Sequence, residues 1–160
     1  MTLGTAMETI MQIRAVTPED RAAWEHLYRG YAAYYQVETD STKLDTLFAW
    51  LCDPEHVCEG LVADASGHLI GLAHFRAMPS PLRGADVGFL DDLFVDPSQR
   101  GGTVANALLW AVDDISGQRA WAVVRWITRD DNYRARGLYD KLSTRSNWLT
   151  YEMSAETTGR

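Results

Sequence analysis

The stretch that most constrains the fold runs from Leu90 to Val112 and reads LDDLFVDPSQRGGTVANALLWAV. Its first part is an apolar run typical of a buried strand, and its last part spaces apolar residues as a helix does. Arg100, Gly101 and Gly102 separate the two parts. A strand that ends where a helix begins leaves several backbone N–H groups without helical acceptors. The turn is therefore either an anion-binding site or a tight connection that carries a solvated arginine.

Composition restricts the class of protein. The chain has 160 residues, 46% of them hydrophobic, which is enough for one domain with a buried core. A formal charge of −7 disfavours a general nucleic-acid binder and favours a cationic partner. Cys52 and Cys58 are too few for a disulfide framework or a zinc site, so we expect reduced thiols and no bound metal. With no apolar run of the roughly 20 residues that span a bilayer, we expect a cytoplasmic protein without a membrane segment.

Hydrophobic patterning predicts elements in the order β-α-α-β-β-β-α-β-α-β. The predicted strands cover residues 11–16, 57–64, 69–78, 85–96, 121–128 and 148–153, and the predicted helices cover about 18–35, 43–52, 102–116 and 132–142. Ser41 or Thr42 should cap the second helix, Asp130 or Asp131 should cap the last, and Gly117 should end the third. We predict a disordered leader over residues 1–9 and a single domain over residues 10–160.

Two blocks of the chain resemble the GNAT superfamily of acyl-CoA-dependent N-acyltransferases. In that family a strand ending in LxV is followed by Pxx(Q/R)GxGxG/A, and here LFV is followed by DPSQRGGTVA, with Thr103 at the position of the middle glycine. The second block, DNYRARGLYDKL at residues 131–142, resembles the family's late helix NxxAxxLYxKxGF. Ser143 and Thr144 stand where the family has Gly-Phe.

The resemblance implies a fold, a co-substrate and a set of residues. The fold would be α/β (α+β), with a mixed, mostly antiparallel sheet of about six to seven strands flanked by about four helices. The co-substrate would be acetyl-CoA, without a metal. The residues implied to bind it are Leu93, Phe94, Val95, Arg100, Gly101, Gly102, Thr103, Val104, Ala105 and Asn132. Tyr139 would be the general acid that protonates the departing thiolate; otherwise it is a core aromatic on an apolar helix stripe.

The chemistry also needs a base. An alkylamine with a pKa near 10.4 is only about one part in a thousand neutral near pH 7.4, so forming the neutral amine costs roughly 4 kcal/mol, a deficit that the enzyme must overcome. A carboxylate can relieve this deficit by taking the proton directly or through a water. Strand alternation puts Asp91 on the face of Leu93, and Asp92 on the face of Leu90 and Phe94. We favour Asp91 as the base and Asp92 as a structural or substrate-binding residue, and the opposite assignment stays open.

The acceptor is suggested by a finer resemblance. The strand LDDLFV is similar to the LEDFFV strand of the spermidine/spermine and diamine acetyltransferase branch. By this resemblance Asp91 takes the position of the acidic residue to which that branch assigns proton removal. That branch implies a small cationic acceptor, either a polyamine or an amino-acid-like amine. Tyr31, Tyr34 and Tyr35 would then line the acceptor pocket through cation–π contacts, unless they only pack. His74 is interpreted as a core histidine rather than a catalytic one.

The leading hypothesis is an N-acetyltransferase that moves an acetyl group from acetyl-CoA to a primary amine by direct transfer in a ternary complex. Two alternatives stay open: a non-catalytic acyl-CoA-binding sensor, which Thr103 favours, and a protein lysine or N-terminal acetyltransferase. Asp91 and Tyr139 favour the enzyme, because a sensor needs neither a base nor an acid. The fold also implies a possible homodimer through the late strands, including the region of Trp148.

Overall fold

The computed structural model describes residues 10–153, so the predicted leader over residues 1–9 lies outside the described residues. The chain divides between Trp126 and Ile127 into two compact units, whose described residues are 10–126 (the first unit) and 127–153 (the second unit). The first unit contains β1 (Met11–Ala15), α1 (Arg21–Tyr34), α2 (Ser41–Cys52), β2 (Cys58–Ala65), β3 (His68–Ser80), β4 (Ala85–Val95), α3 (Val104–Gln118) and β5 (Val124–Arg125). The second unit contains α4 (Tyr133–Leu142). Within residues 10–153 no helix has the length and apolar character that a bilayer crossing requires.

The described strands form one mixed sheet of five strands in the order β1-β2-β3-β4-β5. The first three pairings are antiparallel and the last, between β4 and β5, is parallel. The prediction of six to seven strands was wrong. Residues 148–153 form no strand, and only Val124 and Arg125 of the predicted strand 121–128 pair with β4. Strand propensity depends on a partner and a surface to cover, and Trp148 is 78% exposed.

Helices cover both faces of the sheet in the first unit and create two buried clusters. On one face α1 and α2 contribute Trp24, Leu27, Leu44, Phe48 and Leu51, which pack with Val62, Leu72 and Phe94 from the strands. On the other face α3 contributes Val104, Leu108 and Val112, which pack with Leu61, Ala73, Phe75, Leu90 and Trp121. The helical spacing seen in the sequence therefore corresponds to the buried sides of α2 and α3.

Short polar side chains and turns set the element boundaries. The hairpin between β2 and β3 turns at Ser66 and Gly67, whose φ values of 55° and 90° are those of a tight two-residue turn, so the predicted hairpin is confirmed. Asp40 caps α2 by accepting a hydrogen bond from Lys43 N, and Asn132 caps α4. The prediction of Ser41 or Thr42 and of Asp130 or Asp131 was therefore wrong by one or two residues, because aspartate and asparagine at the neighbouring positions are equally good N-caps. The third helix continues past Gly117 to Gln118.

An ion-pair cluster joins β1 to β2 and to the start of α1. The Arg14 guanidinium donates to Asp20 at 2.7 and 2.9 Å and to Asp64 at 2.9 and 3.1 Å. Asp20 also accepts a hydrogen bond from the Thr17 backbone N–H at 2.8 Å. These donors, with Arg14 first, hold the pKa of the Asp20 carboxyl below its usual value.

Replacing Asp20 by asparagine should lower the free energy of unfolding by about 2 kcal/mol, because it leaves Arg14 with one carboxylate fewer in a partly buried site. The measurement is the urea midpoint at pH 7. Asp20 has a lowered pKa, so its contribution is complete above the unfolded-state pKa of about 3.9 and is lost as the pH falls through the folded-state value. Asp45→Asn, which removes an exposed partner of Arg21, is the control and should cost less than about 0.5 kcal/mol. Equal effects of the two changes would contradict this account.

Candidate active site

The carboxyl-terminal half of β4 is paired on one side only among the described strands. β5 pairs with β4 at Gly88 and Phe89, whereas β3 pairs with β4 as far as Val95. Gly88 lets Trp121 and β5 lie close to β4, because a Cβ at this position would lie 2.6 Å from the Trp121 ring and 3.0 Å from Val124 Cγ2. Beyond Phe89 the β5-side edge of β4 therefore presents backbone groups that no described strand pairs. Leu93, Phe94 and Val95, the predicted pantetheine-binding residues, lie in this part of the strand.

The turn after β4 brings glycine to the start of α3. A short 3-10 turn, Pro97–Gln99, leads to Gly101, whose φ of +86° favours glycine. Gly102 is different: it has no left-handed φ, and a Cβ there would meet only Gln99 O at 3.7 Å, an ordinary contact. Neither backbone conformation nor packing in the protein requires a glycine at this position. The missing side chain leaves open space beside the first N–H groups of α3, as an approaching phosphate needs.

Arg100 links this turn to the first helix. Its Nε donates to Val95 O at 3.2 Å, and its guanidinium carbon lies 5.5 Å from the Phe94 ring centroid and 5.8 Å from that of Tyr34. The side chain is thus held at the junction of β4, α1 and α3, and is not simply solvated. A fixed guanidinium beside helix N–H groups adds positive charge to a potential anion site.

A β-bulge separates the two adjacent aspartates. The register of β3 with β4 passes from Phe75↔Leu90 to His74↔Asp92, so Asp91 is the extra residue. The bulge shifts the alternation: Leu90 packs on the α3 face, whereas Asp92 pairs with a histidine that packs against α1. The expectation that Leu90 and Asp92 share a face was wrong, since regular alternation does not pass through a bulge.

The two aspartates have different environments. Asp91 accepts from Arg76 Nε at 3.0 and 3.3 Å, and its side chain is 32% exposed. Burial raises the pKa of the Asp91 carboxyl, against the opposite effect of the guanidinium. Asp92 accepts from His74 Nδ1 at 2.8 Å and from the Tyr31 hydroxyl, and its side chain is 18% exposed. Asp91 is thus suited to proton exchange, and Asp92 is a fixed, largely enclosed carboxylate.

Trp24, Tyr28 and Tyr31 of α1, with Tyr35 just after the helix, form a row of aromatic rings, of which Tyr28 and Tyr31 interact with Asp92. Tyr28 stacks on Trp24 at 5.2 Å between centroids and lies 5.7 Å from Tyr31, which lies 5.1 Å from Tyr35. Burial, with Asp92 as a further cause, raises the pKa of Tyr28 to about 12, and the same two causes raise the pKa of Tyr31. Both hydroxyls therefore stay protonated near neutral pH.

The sequence-predicted tyrosines lie in this row or at its end. Tyr31 contacts Asp92, Tyr35 contacts Tyr31, and Tyr34 meets Tyr35 and Arg100. Tyr28 was missed, although its spacing of four from Trp24 and three from Tyr31 places all three rings on one helix side.

Cys58 is a thiol close to the aspartates, and it is not activated. Burial, with Asp91 and Asp92 as further causes, raises the pKa of Cys58 to about 11. The nucleophile in thiol chemistry is the thiolate, which is then about one part in a thousand at pH 8. Both cysteines are free, as predicted. This environment disfavours a covalent acyl-cysteine step.

We expect Cys58→Ser to retain kcat within about twofold, because a protonated thiol supplies no nucleophile. Initial rates of thiol release from acetyl-CoA measure this. Alkylation of the parent by iodoacetamide should also accelerate with pH up to about pH 11, as the thiolate forms. A large loss of kcat together with fast alkylation at pH 7 would contradict the pKa assignment.

The second unit carries the other predicted residues. Asn132 caps α4 by accepting from Ala135 N at 3.4 Å, and its amide donates to Thr128 Oγ1 at 3.3 Å. Tyr139 is half-buried, and its backbone carbonyl accepts from Ser143 N and Ser143 Oγ. Ala135, Leu138, Tyr139 and Leu142, the predicted stripe, are all half-buried. Within residues 10–153 no cluster of three or more His, Cys, Asp or Glu side chains is arranged to hold a metal ion.

The chain is similar to known acetyltransferases in sequence and in fold. The model of the acetyltransferase (GNAT) family matches residues 24–143. A D-amino-acid N-acetyltransferase of Saccharomyces cerevisiae is 26% identical over 142 residues, covering 88% of each protein. An aminoglycoside N(6')-acetyltransferase type 1 of Stenotrophomonas maltophilia is 35% identical over 103 residues, covering 62% of this chain and 63% of that protein. The crystal structure of a possible acetyltransferase from Clostridium difficile 630 has the same fold, with a TM-score of 0.80 at 17% identity over 92% of this chain and 99% of that one.

The family match spans well over half of the chain and includes both sequence blocks. The same span contains the one-sided half of strand β4, the turn with Gly101 and Gly102 before α3, and the two aspartates. The chain therefore belongs to the GNAT acetyltransferase family and is an acyl-CoA-dependent N-acetyltransferase.

Proposed function

We propose that the protein transfers an acetyl group from acetyl-CoA to the primary amine of a small cationic acceptor, such as a polyamine, by direct transfer in a ternary complex. The observation that carries this proposal is the enclosed carboxylate of Asp92 among the rings of Tyr28 and Tyr31, beside the second carboxylate of Asp91. A carboxylate with aromatic faces is a typical site for an ammonium group. An overall negative chain attracts the same class of ligand.

The proposed reaction gives a role to each of the predicted residues. Acetyl-CoA supplies an activated thioester; the edge of β4 at Leu93–Val95 and the turn from Arg100 to Ala105 would hold it, with Asn132 as a further contact. Asp92, with Tyr31, Tyr34 and Tyr35, holds the acceptor ammonium. Asp91 takes its proton, directly or through a water, so that the neutral nitrogen can attack. Tyr139 gives a proton to the departing sulfur. Homodimerisation and a cytoplasmic location complete the proposal.

A second acceptor class is an amino acid. One relative is a D-amino-acid N-acetyltransferase, and the side chain of Arg76 is 36% exposed beside Asp91. A guanidinium there could bind the carboxylate of such an acceptor while an aspartate binds its ammonium. Arg76 also pairs with Asp91, so Arg76→Gln should shift the acidic limb of the rate with either acceptor, whereas only D-alanine, which carries a carboxylate, should show a higher KM.

The test is thiol release from acetyl-CoA in the presence of spermidine, putrescine, kanamycin or D-alanine. Turnover with spermidine or putrescine supports the polyamine proposal. Turnover confined to D-alanine or kanamycin would replace the polyamine as the proposed acceptor by an amino acid or an aminoglycoside. If acetyl-CoA binds by calorimetry but none of the four amines is acetylated, the small-acceptor proposal is wrong and an acetyltransferase of protein amines is favoured.

The two turn glycines give a matched test of the phosphate cradle. Gly101→Ala should lower the free energy of unfolding by about 1 kcal/mol, because its φ of +86° strains any other residue. Gly102→Ala should leave stability within about 0.5 kcal/mol but weaken acetyl-CoA binding about tenfold, because its Cβ takes up space that the phosphate needs. Thermal unfolding and calorimetry measure the two effects. Unchanged acetyl-CoA affinity in Gly102→Ala would remove this turn from the binding site.

A further inference from the structure

His74 lies behind the candidate acceptor site with both ring nitrogens engaged. The residue is fully buried on β3. Its Nε2 lies 3.0 Å from Trp24 Nε1, and its Nδ1 lies 2.8 Å from Asp92 Oδ2. Trp24 is also fully buried, so the chain Trp24–His74–Asp92 leads from the core to a carboxylate that is 18% exposed.

The chemistry of the partners determines where the histidine proton lies. An indole N–H can only donate, so His74 Nε2 must accept and carries no proton. The ring proton is then on Nδ1, which donates to the Asp92 carboxylate. Rotating the ring by 180° would place carbons against both partners and lose both hydrogen bonds in a buried site. His74 is therefore neutral and has one fixed tautomer.

The direction of these hydrogen bonds gives Asp92 a defined orientation. Two donors, His74 Nδ1–H and the Tyr31 hydroxyl, approach its carboxylate from β3 and from α1. The bulge at Asp91 places Asp92 opposite His74 in the register. An apolar pair would fill the space of Trp24 and His74 without the cost of burying polar groups, so packing alone does not account for this arrangement.

We propose that His74 is a positioning residue, fixed in its Nδ1–H tautomer by Trp24, which orients the Asp92 carboxylate for the ammonium group of the acceptor. The inference rests on the proposed acceptor site. It goes beyond that site by assigning a role to two buried residues that do not touch the acceptor. No covalent step is involved, and the proton on Nδ1 stays there throughout.

The first test is nitrogen NMR of the intact protein labelled in histidine. At pH 7.5 we expect His74 to show a protonated Nδ1 and an unprotonated Nε2, the tautomer less favoured in free histidine. A ring protonated on Nε2, or on both nitrogens, would overturn the proposal. Spermidine, kanamycin and D-alanine are then added without acetyl-CoA. At least one should shift the Nδ1–H resonance in the parent and fail to do so in Asp92→Asn; no shift with any of them overturns the proposal, whether or not turnover occurs.

The second test uses two amide replacements. In His74→Asn the amide nitrogen lies close to the former Nδ1 and keeps a donor for Asp92, whereas in His74→Gln the longer amide reaches towards Trp24 and that donor is lost. We expect His74→Gln to raise the KM for the acceptor about 10- to 100-fold with kcat and acetyl-CoA affinity little changed, and His74→Asn to stay within about threefold. If His74→Gln and His74→Asn raise the KM equally, in proportion to their loss of thermal stability, then Trp24 and His74 have only a structural role.

The two tests separate this inference from the proposed function. If no amine is acetylated by the parent but the His74 resonance responds to one of them, the proposed reaction is wrong and the positioning of Asp92 is right. If an amine is acetylated but the resonance is unchanged, the reaction is right and the positioning is wrong.

Discussion

Asp91→Asn is expected to lower kcat with amine acceptors by about 10²- to 10⁴-fold, because the amide cannot take the proton that an ammonium must lose. Asparagine keeps the size of the side chain and can still accept from Arg76, so the strand register should be unchanged. The measurement is the initial rate of thiol release at saturating acceptor, together with acetyl-CoA affinity by calorimetry. The affinity should be unchanged, because Asp91 is not among the residues proposed to hold the coenzyme.

The pH dependence of the parent's activity is a second test of Asp91 as the base. Burial raises the pKa of Asp91, so the acidic limb of kcat/KM should lie above the ordinary aspartate value of about 3.9. Activity is lost as the pH falls through that pKa, because a protonated carboxyl accepts no proton, and the limb should disappear in Asp91→Asn. Asp86→Asn, an exposed change on the same strand, is the matched control. If Asp91→Asn retains kcat while Asp92→Asn loses it, the roles of the two aspartates are reversed.

Much of the fold could be predicted because its signals are local. The amphipathic stripes of α2 and α3, the turn at Ser66-Gly67 and the strand–turn–helix around Gly101 each lie within about 15 residues of sequence. The last predicted strand, at residues 148–153, shows the limit of this reasoning. Its apolar pattern is real, but whether such a segment becomes a strand depends on a partner elsewhere in the chain.

The candidate site shows a second limit. Asp91 and Asp92 could be singled out from the sequence because they lie just before the predicted CoA-binding turn, where the family resemblance places an acid. Their faces could not be derived, because the bulge that separates them depends on which residue of β3 opposes which residue of β4. The role of His74 was missed for a similar reason. Its partners Trp24 and Asp92 are 50 and 18 residues away, so only the fold brings the three side chains together.

Tyr139→Phe should lower kcat by about 10²- to 10⁴-fold, because it removes the proposed proton donor for the departing thiolate and keeps the ring. The change is informative because Tyr139 has two interpretations. The residue is half-buried on the apolar stripe of α4, as a packing aromatic would be. A packing role depends on the ring, which phenylalanine retains, so it predicts an unchanged kcat. A role as general acid depends on the hydroxyl, so it predicts the large loss.

Tyr133→Phe is the matched control for this experiment, since Tyr133 lies on the same helix with 76% of its surface exposed. We expect it to leave kcat and the thermal midpoint unchanged. The decisive comparison is kcat against acetyl-CoA affinity: loss of a proton donor lowers the rate with the affinity retained, whereas a displaced helix lowers both. If Tyr139→Phe turns over as the parent does, another group or a water must protonate the thiolate, and the family's assignment does not extend to this position.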